Sequence, residues 1–132
     1  MIFAVDFDGT VVTHKFPDIG ESVGAERVLK SLIKNGHKIV LNTMRSHMPF
    51  KDRDLLQEAV DWFKDNEIEL YGVNETPGQK KWTDTPKVFA DMYIDDAALG
   101  CPKTIINGHS VVDWKRIDEL FKSRGIINTI IL

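Results

Sequence analysis

An α/β fold with a parallel sheet is what this sequence predicts, on three observations. Short apolar runs at residues 2–5, 39–41 and 92–94 lack polar alternation, as strands covered on both faces do. Segments with a 3.6-residue apolar period stand between or after such runs. Each run stops at a polar or acidic residue, and right-handed βαβ crossovers bring all such strand ends to one edge of the sheet.

The first run ends at Asp6, where the carboxyl end of a buried strand opens into a loop, the edge at which open α/β sheets bind ligands. Asp8 follows two residues later, and Gly9 lets the backbone turn with no Cβ in the way, so both acids can face one small volume. An Asp-x-Asp pair also suits a helix-capping loop or a calcium loop. The EF-hand pattern needs Gly at its sixth position and Glu at its twelfth, where this chain has Val11 and Pro17. Residues 11–20 form a short flap in which His14 and Lys15 read as solvated loop residues.

Ala25, Val28, Leu29, Leu32 and Ile33 share one helical face and Gly36 stands at a left-handed cap, predicting a helix over about 22–35. Residues 38–43 predict a second strand that ends at Thr43. In the loop 44–50, Arg45 and His47 can reach the same rim, although an Arg in a loop is also an ordinary solvated charge. Leu55, Leu56, Ala59, Val60 and Phe63 then form a second amphipathic helix, with Asp52 as its N-cap. A weaker strand is expected over 68–74. A loop with a helical turn follows over 75–86, where Pro77, Gly78 and Pro86 break regular structure. Residues 87–91 lead from Lys87 into the strand that ends at Asp95 and Asp96. Residues 103–107 predict a short strand, and Asp113 caps a helix whose inner face is Trp114, Ile117, Leu120 and Phe121, ended by Gly125. The tail, with Ile126, Ile127, Ile130, Ile131 and Leu132, is too apolar to stand in water and predicts docking on the core or on a second subunit of a homo-oligomer.

A length of 132 residues suits one domain, 1–132, with a real core. Hydrophobic content of 42% and charged content of 28% are ordinary for a soluble globular chain and argue against disorder. A balance of 17 Lys and Arg against 20 Asp and Glu, net charge -3, argues against broad attraction to nucleic acid. The single Cys101 cannot form an intrachain disulfide and no zinc-type Cys/His spacing occurs, which suits a reducing cytoplasm. No apolar run approaches membrane-spanning length, and Asp6 comes too early for a signal peptide.

The predicted edge collects Asp6, Asp8, Thr43, Asp95 and Asp96, with Lys87 close by. Crowded carboxylates repel one another and lose hydration unless a cation neutralises them. Oxygen ligands favour a hard divalent ion, and magnesium, which takes one or two carboxylates plus a phosphate oxygen, fits better than zinc.

The order Asp6-x-Asp8-Gly9-Thr10, then Thr43 at a strand end, then Lys87, then Asp95-Asp96 resembles the four motifs of the haloacid dehalogenase (HAD) superfamily over residues 1 to 100. The resemblance implies a Rossmann-like three-layer sandwich with strand order 3-2-1-4 and a magnesium-dependent phosphatase that hydrolyses a phosphate monoester through an aspartyl-phosphate. It implies that Asp6 attacks phosphorus while Asp8 acts as general acid and base. Asp6, the Asp8 main-chain carbonyl and Asp95 would hold the metal with support from Asp96, and Thr43 and Lys87 would bind the phosphoryl oxygens, with Arg45 as a further phosphate-binding candidate. Lys87 lies only eight residues before Asp95, so Lys80 or Lys81 are the alternatives for the functional lysine. Both places where the family inserts a cap domain hold only short loops here. A capless site points to a small phosphorylated metabolite with another subunit covering it, or to a phosphorylated macromolecule. A response-regulator receiver domain, which also clusters Asp, Thr and Lys around magnesium, places its acid pair on the first strand and so has a different motif order. A non-catalytic module would be expected to have lost Asp6 or Asp8.

Overall fold

The computed structural model of the protein describes residues 1–128. Four strands form an all-parallel sheet: β1 (Ile2–Val5), β2 (Lys38–Leu41), β3 (Gly72–Val73) and β4 (Met92–Ile94), in the order β3-β2-β1-β4. The order is the one expected. β1 lies between β2 and β4, with Phe3 opposite Ile39, Ala4 opposite Val40 and Val5 opposite Leu41.

This register sorts the side chains by face, because successive residues of a strand point to opposite sides. Phe3, Val5, Ile39 and Leu41 join the main core, where helices α1 (Ala25–Lys34), α2 (Leu55–Asp65) and α3 (Trp114–Ser123) bury Leu29, Phe63 and Phe121. Ala4 and Val40 form a smaller cluster with Val88 on the other face. That second face is covered by the irregular segment between β3 and β4, whose one helical turn is a 3-10 turn at Gln79–Lys81. No cap domain is present among the described residues.

α1 ends as its sequence predicts, with the Gly36 N–H bonded to the Ile33 carbonyl and the His37 N–H to the Leu32 carbonyl. The start of α2 differs from expectation. Asp54, not Asp52, is the N-cap and accepts from the Gln57 N–H at 3.0 Å. Lys51 and Asp52 instead form the corner of a tight turn, both at positive φ, closed by paired Phe50 and Arg53 backbone bonds. β3 is shorter than the span 68–74, although the Tyr71 and Asn74 N–H groups still bond to the Ile39 and Leu41 carbonyls.

The expected strand at 103–107 is half of a hairpin, β5 (Lys103–Ile106) paired antiparallel with β6 (His109–Val112). Its turn is Asn107-Gly108, both at positive φ, the dipeptide whose backbone matches the twist of a two-residue hairpin. α3 starts at Asp113, whose side chain accepts from the Arg116 N–H as predicted. Of the apolar tail, Ile127 is buried in the main core and Ile126 packs against it, while Ile130, Ile131 and Leu132 lie outside the described residues. No helix among the described residues is long and apolar enough to cross a membrane.

Gln79 holds the irregular segment on the sheet. It is buried, its Oε1 accepts from the Thr76 and Phe89 N–H groups, and its Nε2 donates to the Lys87 carbonyl at 2.6 Å. Gln79→Ala should therefore lower stability by roughly 2–4 kcal/mol, three hydrogen bonds of about 1 kcal/mol each with buried partners left unmatched. Urea unfolding measures it, and a loss near zero would mean that the segment is held by apolar contacts alone.

Candidate active site at the tip of the first strand

β1 ends by pairing with β4, since the Asp6 N–H bonds to the Ile94 carbonyl at 3.0 Å. Phe7 then turns inward, its ring 5.8 Å from Trp62 and 6.0 Å from Phe63, so that Asp6 and Asp8 on either side of it are left at the sheet edge. The Thr10 and Val11 N–H groups both bond to the Phe7 carbonyl, closing the turn. Gly9, at φ 80, is required here for two reasons: its backbone is left-handed, and a Cβ would run into the Asp96 carboxylate.

Thr10 is the hinge pin of this loop and is fully buried. Its hydroxyl donates to Asp6 Oδ2 at 2.8 Å and accepts from the Asp96 N–H at 3.1 Å. One hydroxyl has one proton, so the longer 3.4 Å approach to Asp96 Oδ1 is secondary. The Thr10 carbonyl accepts from the Trp114 indole N–H at 2.7 Å, and the Gly9 carbonyl from the Val112 N–H at 3.2 Å. The C-terminal hairpin and α3 thus brace the acid-bearing loop from behind.

Asp6, Asp95 and Asp96 each offer a carboxylate oxygen, and these atoms lie within 4.8 Å of one another. Burial pushes the Asp6 carboxyl up from 3.8 to about 7; the Thr10 hydrogen bond opposes the rise, and Asp95 and Asp96 add to it. Asp95 Oδ1 is taken by the Ala97 N–H at 2.8 Å. A group of carboxylate oxygens without Cys or His suits a hard cation such as magnesium or calcium rather than zinc.

The Asp8 carboxylate does not join this group. It is gripped by Arg45, with Nε donating to Oδ2 and Nη2 to Oδ1, both at 2.8 Å. Arg45, expected at the phosphate, is buried and has further bonds to the Leu55 and Asp18 carbonyls, so its donors are taken up by Asp8 and by the backbone. A planar guanidinium on a carboxylate fixes the orientation of the acid as well as its charge. Its ring neighbours, Phe7 at 5.0 Å and Phe16 at 5.3 Å, complete the enclosure.

Thr43 stands at the end of β2, its N–H donating to Asn74 Oδ1 at 2.8 Å and its Oγ1 accepting from the Arg45 N–H at 3.1 Å. Lys87 lies over the Tyr93 ring, Nζ 5.7 Å from the centroid, and has no hydrogen bond or ion pair to the acids among the described residues. Lys80 pairs with Glu75 at 3.5 Å, and Lys81 is exposed at the end of the 3-10 turn. His14 and Lys15 are exposed, as read, and His47 pairs with Asp54 at the start of α2.

The raised Asp6 carboxyl has a definite consequence. A fold that favours the neutral acid gains stability below the ordinary carboxyl range and loses it as pH rises through about 7. A divalent cation favours the charged form and reverses this. Magnesium should therefore raise the melting temperature more at about pH 8 than at about pH 5, by thermal-shift measurement, and Asp6→Asn should remove the difference. A magnesium shift that is independent of pH or insensitive to Asp6→Asn would contradict this origin.

No protein-family model matches the chain, and no curated protein matches it. A solved structure does: a conserved protein coded by a locus of Bacteroides thetaiotaomicron is 33% identical, over 94% of this chain and 91% of that one, with a TM-score of 0.75. Identity and fold agree over almost the full length of both chains, and the chain belongs to the same family as that conserved protein.

Proposed function

We propose that the protein is a magnesium-dependent phosphatase that hydrolyses a phosphate monoester through an aspartyl-phosphate on Asp6. The observation that carries this is the group of Asp6, Asp95 and Asp96 oxygens within 4.8 Å at the end of the first strand. Asp8 stands two residues from Asp6, with its carboxylate outside the group and oriented by Arg45. The likeness of these motifs to the HAD superfamily points the same way.

Asp6, Asp95 and Asp96 would hold the cation, which supplies charge neutralisation for the carboxylates and the transferring phosphoryl group. Thr10 holds Asp6 Oδ2, and Oδ1 is the attacking oxygen in this reading. In the first step Asp6 Oδ1 forms a bond to phosphorus, the bond from phosphorus to the ester oxygen breaks, and Asp8 delivers a proton to the departing alcohol. In the second, water attacks phosphorus with its proton passing to Asp8, inorganic phosphate leaves and the Asp6 carboxylate is restored. Asp8 must release one oxygen from Arg45 to carry that proton. Thr43 and one of Lys87, Lys80 and Lys81 would bind phosphoryl oxygens; Lys87 reaches the site only by leaving the Tyr93 ring.

Substrates are phosphorylated small molecules in this reading, and the single free Cys101 fits a cytoplasmic enzyme. A second reading keeps the chemistry and enlarges the substrate to a phosphorylated macromolecule. Met44 beside Thr43 and Leu99 beyond Asp96 are fully or nearly fully exposed and would meet such a partner.

A panel of phosphate monoesters tests the proposal. Asp6→Asn should abolish turnover, and Asp8→Asn should lower kcat by about 10²- to 10⁴-fold while magnesium affinity by calorimetry stays close to wild type. Near wild-type turnover in Asp6→Asn would overturn the covalent mechanism.

A further inference from the structure

The loop between β2 and α2 carries a second arginine, Arg53, to which the reaction above gives no part. The left-handed corner at Lys51 and Asp52 pairs the Phe50 and Arg53 backbones, so both side chains reach residues 16–18 of the flap. Phe16 meets Phe50 edge-on with ring centres 6.2 Å apart. Arg53 bridges the flap to α2. Its Nε and Nη2 form a fork on Glu58 of α2 at 3.0 and 2.7 Å, Nη1 donates to Asp18 Oδ1 at 3.0 Å, and Nη2 also donates to the Pro17 carbonyl at 3.3 Å. Four of the five guanidinium N–H groups are thus in use.

The flap residues held in this way are the ones that close over Arg45. Asp18 takes Arg53 on its carboxylate and offers its main-chain carbonyl to Arg45 Nη2 at 3.1 Å, the same nitrogen that donates to Asp8 Oδ1. The Phe16 ring lies 5.3 Å from the Arg45 guanidinium carbon. Phe16 itself is 47% exposed, so its apolar contacts hold the flap only weakly. An isolated surface ion pair would add little, but an arginine forked onto one segment and bonded twice to another fixes both in one geometry.

We infer that Arg53 is a positioning residue, which clamps the flap to α2 and so holds Arg45 on Asp8 in the orientation from which Asp8 passes its proton to the ester oxygen. The proton transfer rests on the phosphatase reading; the clamp does not. Asp8 has to free one oxygen from Arg45 to carry the proton. With the guanidinium fixed by the flap, that oxygen can swing out while the other stays bonded. A loosened flap lets the guanidinium move with the acid, and the proton is no longer delivered to one place.

The test compares kcat/KM of the magnesium-loaded full chain for 2-phenylethyl phosphate, whose alkoxide needs a proton to leave, and 4-nitrophenyl phosphate, whose phenolate leaves without one. Arg53→Gln should lower the first by about tenfold or more and the second by less than about twofold, with magnesium affinity unchanged. Glu58→Gln, which removes only the anchor on α2, should show the same bias to a smaller degree, and it carries the test if Arg53→Gln does not fold. An equal loss on both esters, or none, would overturn the inference while leaving the phosphatase reading intact. If neither ester is hydrolysed by wild type the phosphatase reading fails, and the clamp is judged by hydrogen exchange of the Arg45 Nε–H in nuclear magnetic resonance spectra. Exchange about tenfold faster or more in Arg53→Gln upholds it, and unchanged exchange overturns it.

Discussion

Three carboxylates kept within 4.8 Å of one another are the constraint on which the rest of this structure depends. Their mutual repulsion would splay a free loop apart, so the backbone that carries them has to be held by something stronger. The chain meets this with elements distant in sequence. Thr10 links the Asp6 carboxylate to the backbone of Asp96 through one hydroxyl. Phe7 anchors the loop in the core, and Trp114 and Val112 bond to its outward carbonyls. The C-terminal hairpin and α3 are therefore part of the site's support even though they contribute no acid to it.

The same logic separates the two acids of the first loop. Asp6 is partly buried with other carboxylates, and its carboxyl is pushed up to about 7. Asp8, two residues on, faces a buried guanidinium with both oxygens bonded. One scaffold thus gives neighbouring carboxylates opposite electrostatic surroundings, and in the proposed reaction it is a cation among the three acids that would hold Asp6 ionised for attack. Arg45 acts through Asp8 and is a positioning residue in this account.

The sheet and its acidic edge were legible because they rest on local signals. Apolar runs that end at Asp6, Thr43 and Asp95 mark the strands and their tips, and the strand order came with the family resemblance. What was not legible depends on distance or on backbone detail. Trp114 and Thr10 are 104 residues apart, and nothing in either segment announces their bond. Thr10 itself could have been singled out, since a hydroxyl directly after an acidic turn is an obvious partner for the first acid. Asn107-Gly108 carried a strong hairpin signal that predicts β6. Asp52 and Asp54 are equally good N-caps by residue type, and only the left-handed turn at Lys51 and Asp52 decides between them. Arg45 reads as a loop charge until the flap and α2 close over it, because burial of a side chain is a property of the fold and not of its neighbours in sequence.

The central claim is that Asp6 becomes covalently phosphorylated. The most direct measurement is borohydride trapping during turnover of the full chain, with the modified residue located by mass spectrometry, since hydride reduces an acyl phosphate to the corresponding alcohol. The account predicts reduction of Asp6 to homoserine only when both magnesium and a hydrolysable phosphate ester are present. Turnover without any reduction at Asp6, or with reduction at Asp8, Asp95 or Asp96 instead, would contradict it.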